Sequence, residues 1–290
     1  MIVRSKGRTF FEIINAVLLG SIGLLAVLPF VNVIAKSMSG DAAVIAGKVT
    51  VYPIDFQMDA FRFVILKSGF LNAFGVSLFV TAIGTCVSLL VTLMAAYPLS
   101  KPHFKGRKAV LLLYVFSMLF YGGMVPSYML MKELRLINTV WAMIIPFIVV
   151  PFNLFVMKTF FESIEENIVE AAKIDGAGNF SILFRIVLPI STPVLATLGL
   201  FYAVGYWNNF YHPLLFISKQ SLKPLQLYMY DVINSTQSAS ERIDTESLLN
   251  LSMESVQAAT IIASTLPILL VYPFLQRHFV HGLTIGSVKG

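Results

Sequence analysis

The sequence predicts an all-α membrane protein with six spans, and three observations carry that reading. Of 290 residues, 57% are hydrophobic and only 12% are charged, whereas a soluble domain holds roughly 25% charged residues. The mean hydropathy is +0.80. Six stretches lack Asp, Glu, Lys and Arg, and the shortest has 22 residues, enough for the roughly 20 that a helix needs to cross the hydrocarbon core. Their hydrophobicity is continuous where a membrane β-barrel would alternate.

The first stretch, 13–35, follows Arg4, Lys6 and Arg8. It is too long for the apolar core of a signal peptide and no small-residue cleavage site follows it, so it is expected to be a retained helix. The second, 68–100, is expected to be one span with an interfacial extension. It carries the only cysteine, Cys86, which excludes an internal disulfide and is expected to pack as a small hydrophobe. The third and fourth, 109–131 and 136–157, are separated by four residues. The fifth, 186–218, again exceeds one crossing, and the sixth is 255–276. Residues 1–290 are read as a single transmembrane domain.

Orientation follows from the distribution of Lys and Arg. With the N-terminus inside, the inner segments hold twelve Lys/Arg, while the outer ones hold nine, matched by nine acids. Lys101, Lys105, Arg107 and Lys108 in one short link are the clearest signal. Both termini are therefore expected in the cytoplasm, with a cytoplasmic loop at 158–185. The net charge of +6 is dispersed between apolar runs, with no basic stripe and no zinc spacing, which argues against nucleic-acid binding.

The 158–185 loop carries the most information. Ile164, Ile168, Ala171 and Ala172 recur at helical spacing and predict a short amphipathic helix on the membrane surface. Gly176 and Gly178 are expected to end it, with Asn179 capping the next helix. Such a helix suits either docking to another body or resting on lipid headgroups. Pro189 either bends the fifth span or is an ordinary proline of a helix start.

Glu170, Ala171 and Ala172, then Gly176 after three residues, then Ile186, Leu188 and Pro189 after nine more, resemble the EAA loop of ABC-importer permeases with every fixed position filled. Asp175 and Ala177 fit its common DGA form. The likeness extends to Phe120 through Tyr128, to Tyr206, Trp207 and Asn208, and to a tail holding Gly282 and Gly286. These resemble carbohydrate permeases, nearest the second permease of maltose-type systems and permeases for oligosaccharides from complex polysaccharides.

The resemblance implies a type I importer transmembrane domain in the bacterial plasma membrane. Its partners would be two cytoplasmic ATPase subunits, a second permease in a heterodimer (a homodimer is the alternative), an extracytoplasmic solute-binding protein and an oligosaccharide. ATP and Mg would belong to the ATPase, with no cofactor on this chain. It also implies that Glu170, Ala171, Ala172, Asp175, Gly176 and Gly178 form a coupling helix seated in an ATPase groove, with Ala171, Ala172 and Gly176 as its close-packed face. By the same resemblance, 36–67 and 219–254 would meet the binding protein. Outside, Phe56, Ala60, Phe61 and Val64 are expected on one side of an amphipathic piece.

The fifth stretch concentrates Tyr206, Trp207, Asn208, Asn209 and Tyr211. Aromatic faces with amide groups suit sugar rings, so these residues are candidates for the substrate path. An interfacial aromatic belt is the competing reading. Carbohydrate permeases of this kind often carry an acid where Asn209 stands, which weakens a specific sugar assignment.

Other functions fit poorly. Gly47 and Lys48 are followed by Val49, so no phosphate-binding loop is formed. An ion-coupled transporter needs acids or histidines within its spans, and His212 is the only such residue in the six stretches. A passive channel leaves the EAA loop without a role.

Overall fold

The computed structural model describes residues 6–66, 69–234 and 252–282. The connector 235–251 and residues 283–290 of the tail motif lie outside the described residues. Among the described residues all regular structure is helical. In chain order the helices are α1 (Lys6–Ser37), α2 (Asp41–Ile45), α3 (Asp59–Leu66), α4 (Phe70–Ser100), α5 (Arg107–Leu119), α6 (Met124–Glu133), α7 (Trp141–Ile144) and α8 (Pro151–Glu162). They continue with α9 (Glu166–Ile174), α10 (Asn179–Ile182), α11 (Leu188–Ile190), α12 (Thr192–Trp207), α13 (Tyr211–Phe216), α14 (Leu225–Asn234) and α15 (Met253–Gly282).

Among the described residues, two helices are long and apolar enough to cross a membrane unbroken, Phe10–Ser37 and Phe70–Ser100. The fourth and fifth stretches are instead bent pairs. Trp141–Phe147 and Pro151–Glu162 meet at 53°, and Asn179–Ile190 and Thr192–Trp207 at 84°. Prolines explain both breaks. Pro151 forces the preceding Val150 into an extended conformation, φ −87 and ψ 119, because its ring disfavours the α region there. In the fifth stretch Pro193 has no N–H for the carbonyl of Pro189, and Thr192 Oγ1 donates to that carbonyl instead at 2.7 Å. The third stretch also departs from one continuous helix: α5 stops at Leu119, and Gly123, at φ 91, precedes α6. Cys86 is exposed and does not fill this chain's core.

The chain divides into two compact units, residues 1–71 with 229–268, and residues 72–228 with 269–290. In the first, Ala35, Ala43, Val44 and Val49 form a small core with Ile54. Asn32 Nδ2 donates to the carbonyls of Val49 and Thr50. Ser252 caps α15, its Oγ accepting from Ser255 N–H at 3.0 Å, while its own N–H donates to Asp41 Oδ1 at 2.6 Å. Side chains 13–30 of α1 are exposed. In α3 the buried residues are Ala60, Phe63 and Val64. Phe56 is exposed because it precedes the helix and does not share its period.

The second unit holds two apolar cores. One joins Leu93, Ala96 and Tyr97 of α4 to Met157 and Phe161 of α8, Val169 and Ala172 of α9, and Val194 and Leu198 of α12. The other gathers Val80, Met131, Ala142, Met143, Ile144, Tyr202, Tyr206, Phe216 and Ile217. Leu89 packs against both.

Candidate functional site

The first candidate site is α9 and the turn after it. The helix ends in two reversed hydrogen bonds, Gly176 N–H to Lys173 O at 3.0 Å and Ala177 N–H to Ala172 O at 2.9 Å. This is the Schellman arrangement, in which the residue between must be left-handed. Gly176 supplies it at φ 80. Gly178 plays a different part from the one expected: it has φ −72 and ψ 159 and occupies the N-cap position of α10. Asn179 is the first residue of α10 and not its cap.

The inward stripe of α9 also differs from the expected one. Val169 and Ala172 are buried, while Ile168 and Ala171 are exposed. Ile164 lies in the turn before the helix starts at Glu166, so counting the period from it puts the phase out by one residue. Ala172 thus packs against this chain's own core, and only Ala171 of the alanine pair faces outward. Glu170, Asp175, Gly176 and Gly178 are exposed with it. Two large apolar side chains stand out nearby, Ile174 at 86% exposure and Phe180 at 70%.

Charged groups tie this region to its neighbours. Glu162 at the end of α8 pairs with Arg107 at the start of α5 and with Lys158 one turn earlier. Arg107 Nε also donates to Leu99 O at 2.8 Å, which holds the end of α4. Lys101 lies over the Tyr97 ring, 5.4 Å from its centroid. Burial pushes the Lys101 ammonium below its usual range, Glu166 opposes this and Lys173 adds to it.

The second candidate site is the end of α12. Tyr206 is buried, and its hydroxyl donates to Ile144 O at 3.0 Å and meets Ser88 Oγ at 2.8 Å. One turn earlier, the hydroxyl of buried Tyr202 meets Thr92 Oγ1 at 2.7 Å and accepts from Val150 N–H at 3.2 Å. Asn209 is also engaged locally: its Oδ1 accepts from His212 N–H, and its Nδ2 lies 3.1 Å from His212 Nδ1. This holds the start of α13. Tyr206 and Asn209 are therefore committed to the chain itself. Trp207 packs edge-on against Phe74 at 5.8 Å, and its Nε1 is buried without a hydrogen-bond partner. Asn208 and Tyr211 are exposed, and the Tyr211 ring stands edge-on to His212 at 5.7 Å.

Two glycines make the tyrosine contacts possible. A β-carbon on Gly84 would lie 2.8 Å from the Tyr206 ring, and one on Gly205 would lie 2.6 Å from Phe147. Neither glycine stands out in the sequence, and neither do Ser88 and Thr92. The signal that could have found the last two is a shared spacing: Ser88 and Thr92 on one apolar helix match Tyr202 and Tyr206 on another, each four residues apart.

Residues 75–285 match the family described as the binding-protein-dependent transport system inner membrane component. The chain belongs to that family. It is a permease subunit of a binding-protein-dependent ABC importer and not an enzyme; in such importers the ATPase is a separate subunit. Among its relatives, Protein LplC of Bacillus subtilis (strain 168) is 43% identical, over 99% of this chain and 97% of that one. The polygalacturonan/rhamnogalacturonan transport system permease protein YtcP of the same strain is 39% identical, over 98% and 100%. The solved structure of a bacterial ABC transporter involved in import of the acidic polysaccharide alginate contains a chain that superposes with a TM-score of 0.88. It is 33% identical, with 96% of this chain and 100% of that chain covered.

Proposed function

We propose that this permease takes up an oligosaccharide as one half of a heterodimer with a related permease, driven by two cytoplasmic ATPase subunits that bind ATP and Mg. An extracytoplasmic binding protein delivers the solute. The observation that carries the reading is the two-sided character of α9. Val169 and Ala172 fix its inner side to the core, while Ala171, Ile174 and Asp175 stand outward. Ile174 and Phe180 leave apolar area exposed beside this helix, and seating it in a protein groove would remove that area from water. When the ATPase subunits close on ATP, they press this face, and the shared core carries the displacement to α4, α8 and α12.

The contact of Arg107 with Glu162 supports placing the 101–108 link and the 158–185 loop on one side of the membrane. By the distribution of basic residues that side is the cytoplasm, with both termini, in the plasma membrane of a bacterium. Six spans follow if each bent pair, the interrupted third stretch and α15 each cross once. Within the path, Trp207, Asn208 and Tyr211 are the candidates for the sugar. The buried indole N–H of Trp207 has no partner in this chain and is a donor that a substrate hydroxyl would satisfy once the side chain turns towards the path. The saccharides in the names of two relatives, polygalacturonan/rhamnogalacturonan and the acidic polysaccharide alginate, support the substrate class.

The test is to co-express the chain with its genomic neighbours, reconstitute what co-purifies into vesicles, and measure uptake of labelled neutral and uronic-acid oligosaccharides. ATP-dependent uptake of an oligosaccharide that needs the binding protein is the expected result. Uptake driven by an ion gradient without ATP would refute the proposal.

A further inference from the structure

The break between α7 and α8 leaves backbone groups that an unbroken helix would have paired. The carbonyl of Ile144 loses its usual partner, because Ile148 N–H donates to Ile145 O instead at 3.2 Å. Val150 N–H lies in extended backbone just before α8. Unpaired groups of this kind are costly in a span, where water cannot reach them. Here both are satisfied by side chains of a different span. Tyr206 donates to Ile144 O, and Tyr202 accepts from Val150 N–H.

Each tyrosine makes a second bond to α4, Tyr206 with Ser88 and Tyr202 with Thr92. The two hydroxyls therefore bridge the two sides of the break in the fourth stretch to one stripe of α4. They also stand at the junction of the two cores. Leu198, one turn before Tyr202, belongs to the core that holds α9, while both tyrosines belong to the other. The glycines fit the same purpose, since Gly84 and Gly205 let α4 and the Phe147 turn approach the tyrosine rings.

We propose that the break between α7 and α8 is a hinge of the transport cycle, and that Tyr202 and Tyr206 are its positioning residues. Displacement arriving from α9 through Leu198 moves α12, and the two hydroxyls pass that movement to opposite sides of the break. The hinge can flex because the backbone groups freed at the break are held by side-chain hydroxyls, which exchange partners more easily than a helix ladder. The inference rests on α9 being where the ATPase acts.

The experiment uses the complete transporter in lipid vesicles with Tyr202→Phe and Tyr206→Phe combined. Both rings remain, so the packing against Gly84 and Phe147 is kept and only the hydroxyls are lost. The expected result is an assembled complex that still hydrolyses ATP, with solute imported per ATP reduced at least about tenfold, since one buried hydrogen bond already shifts an equilibrium by about that factor and the double variant removes four. An unchanged ratio in the assembled variant would overturn the proposal.

If that variant fails to assemble, Ser88→Ala with Thr92→Ala leaves the tyrosines on Ile144 and Val150. A reduced ratio supports the hinge, and an unchanged one overturns it. A second measurement reads the motion itself. Trp141 and Phe152 are exposed on the two sides of the break, so spin labels at Trp141→Cys and Phe152→Cys, with Cys86→Ser, report its angle. Their separation should change on ATP binding; a fixed separation would make the tyrosines static cement. Failure of the ATPase to bind even the unaltered chain would instead sink the coupling role of α9.

Discussion

Replacing Gly205 with alanine tests the packing on which the α12 site depends. The new β-carbon would lie 2.6 Å from Phe147 Cε1 and 2.7 Å from Cζ, where carbon atoms ordinarily rest about 3.5–4.0 Å apart. The ring has little room to swing away. It stands edge-on to Tyr202 at 6.1 Å and to Tyr206 at 5.2 Å, and Tyr206 is tied at its hydroxyl to Ile144 and Ser88. Overpacking of this kind costs about 1–3 kcal/mol, and alanine returns about 0.5–1 kcal/mol as a better helix former than glycine. The net loss is up to about 2.5 kcal/mol and centres near 1 kcal/mol, where the ratio of folded to unfolded protein falls about fivefold. Gly199→Ala is the control, because its β-carbon would meet only the end of a flexible side chain, Leu89 Cδ1 at 3.3 Å. Thermal unfolding of the detergent-solubilised protein reads the difference. A Gly205→Ala protein as stable as the Gly199→Ala one would show that Phe147 has room to move and that the close approach at Gly205 is not required.

Three further substitutions follow from the same geometry. Gly176→Val forces a β-branched residue to φ 80, costing about 1–2 kcal/mol, while its β-carbon meets nothing within 4 Å; co-purification should show less ATPase retained with the chain still folded. Glu162→Gln loosens both Arg107 and Lys158, and since these groups are partly exposed the loss of stability should be about 0.5–1 kcal/mol. Unfolding midpoints at low and high salt check it, the gap between variant and parent narrowing as salt rises. Trp207→Ala should raise the solute concentration needed for half-maximal uptake, and uptake curves with an unchanged half-point would favour an interfacial role for the indole.

The membrane class and the turn that ends α9 were legible because each rests on a local property. Composition fixes the solvent, and the turn after α9 needs a glycine at one position, Gly176, whatever surrounds it. The inward face of α9 was not legible from period alone, since its phase depends on where the turn at Ser163 and Ile164 ends. The breaks in the fourth and fifth stretches were only half legible. Proline announces a disrupted ladder at Pro146, Pro151, Pro189 and Pro193, but the angle depends on which side chains take up the freed groups. Tyr206 shows the limit most clearly. An aromatic residue with a hydroxyl suits a sugar or a broken helix equally well, and only the position of Ile144 O decides between them.

The ATPase subunit is proposed to dock on the outward face of α9. The most direct measurement is capture of that ATPase by the purified permease carrying Ile174→Asp, beside Ile45→Asp as a control at a site of similar exposure, 86% against 73%. Loss of the ATPase with Ile174→Asp and its retention with Ile45→Asp is the predicted result. Equal retention, with ATP hydrolysis still coupled to uptake, would place the ATPase elsewhere on the chain.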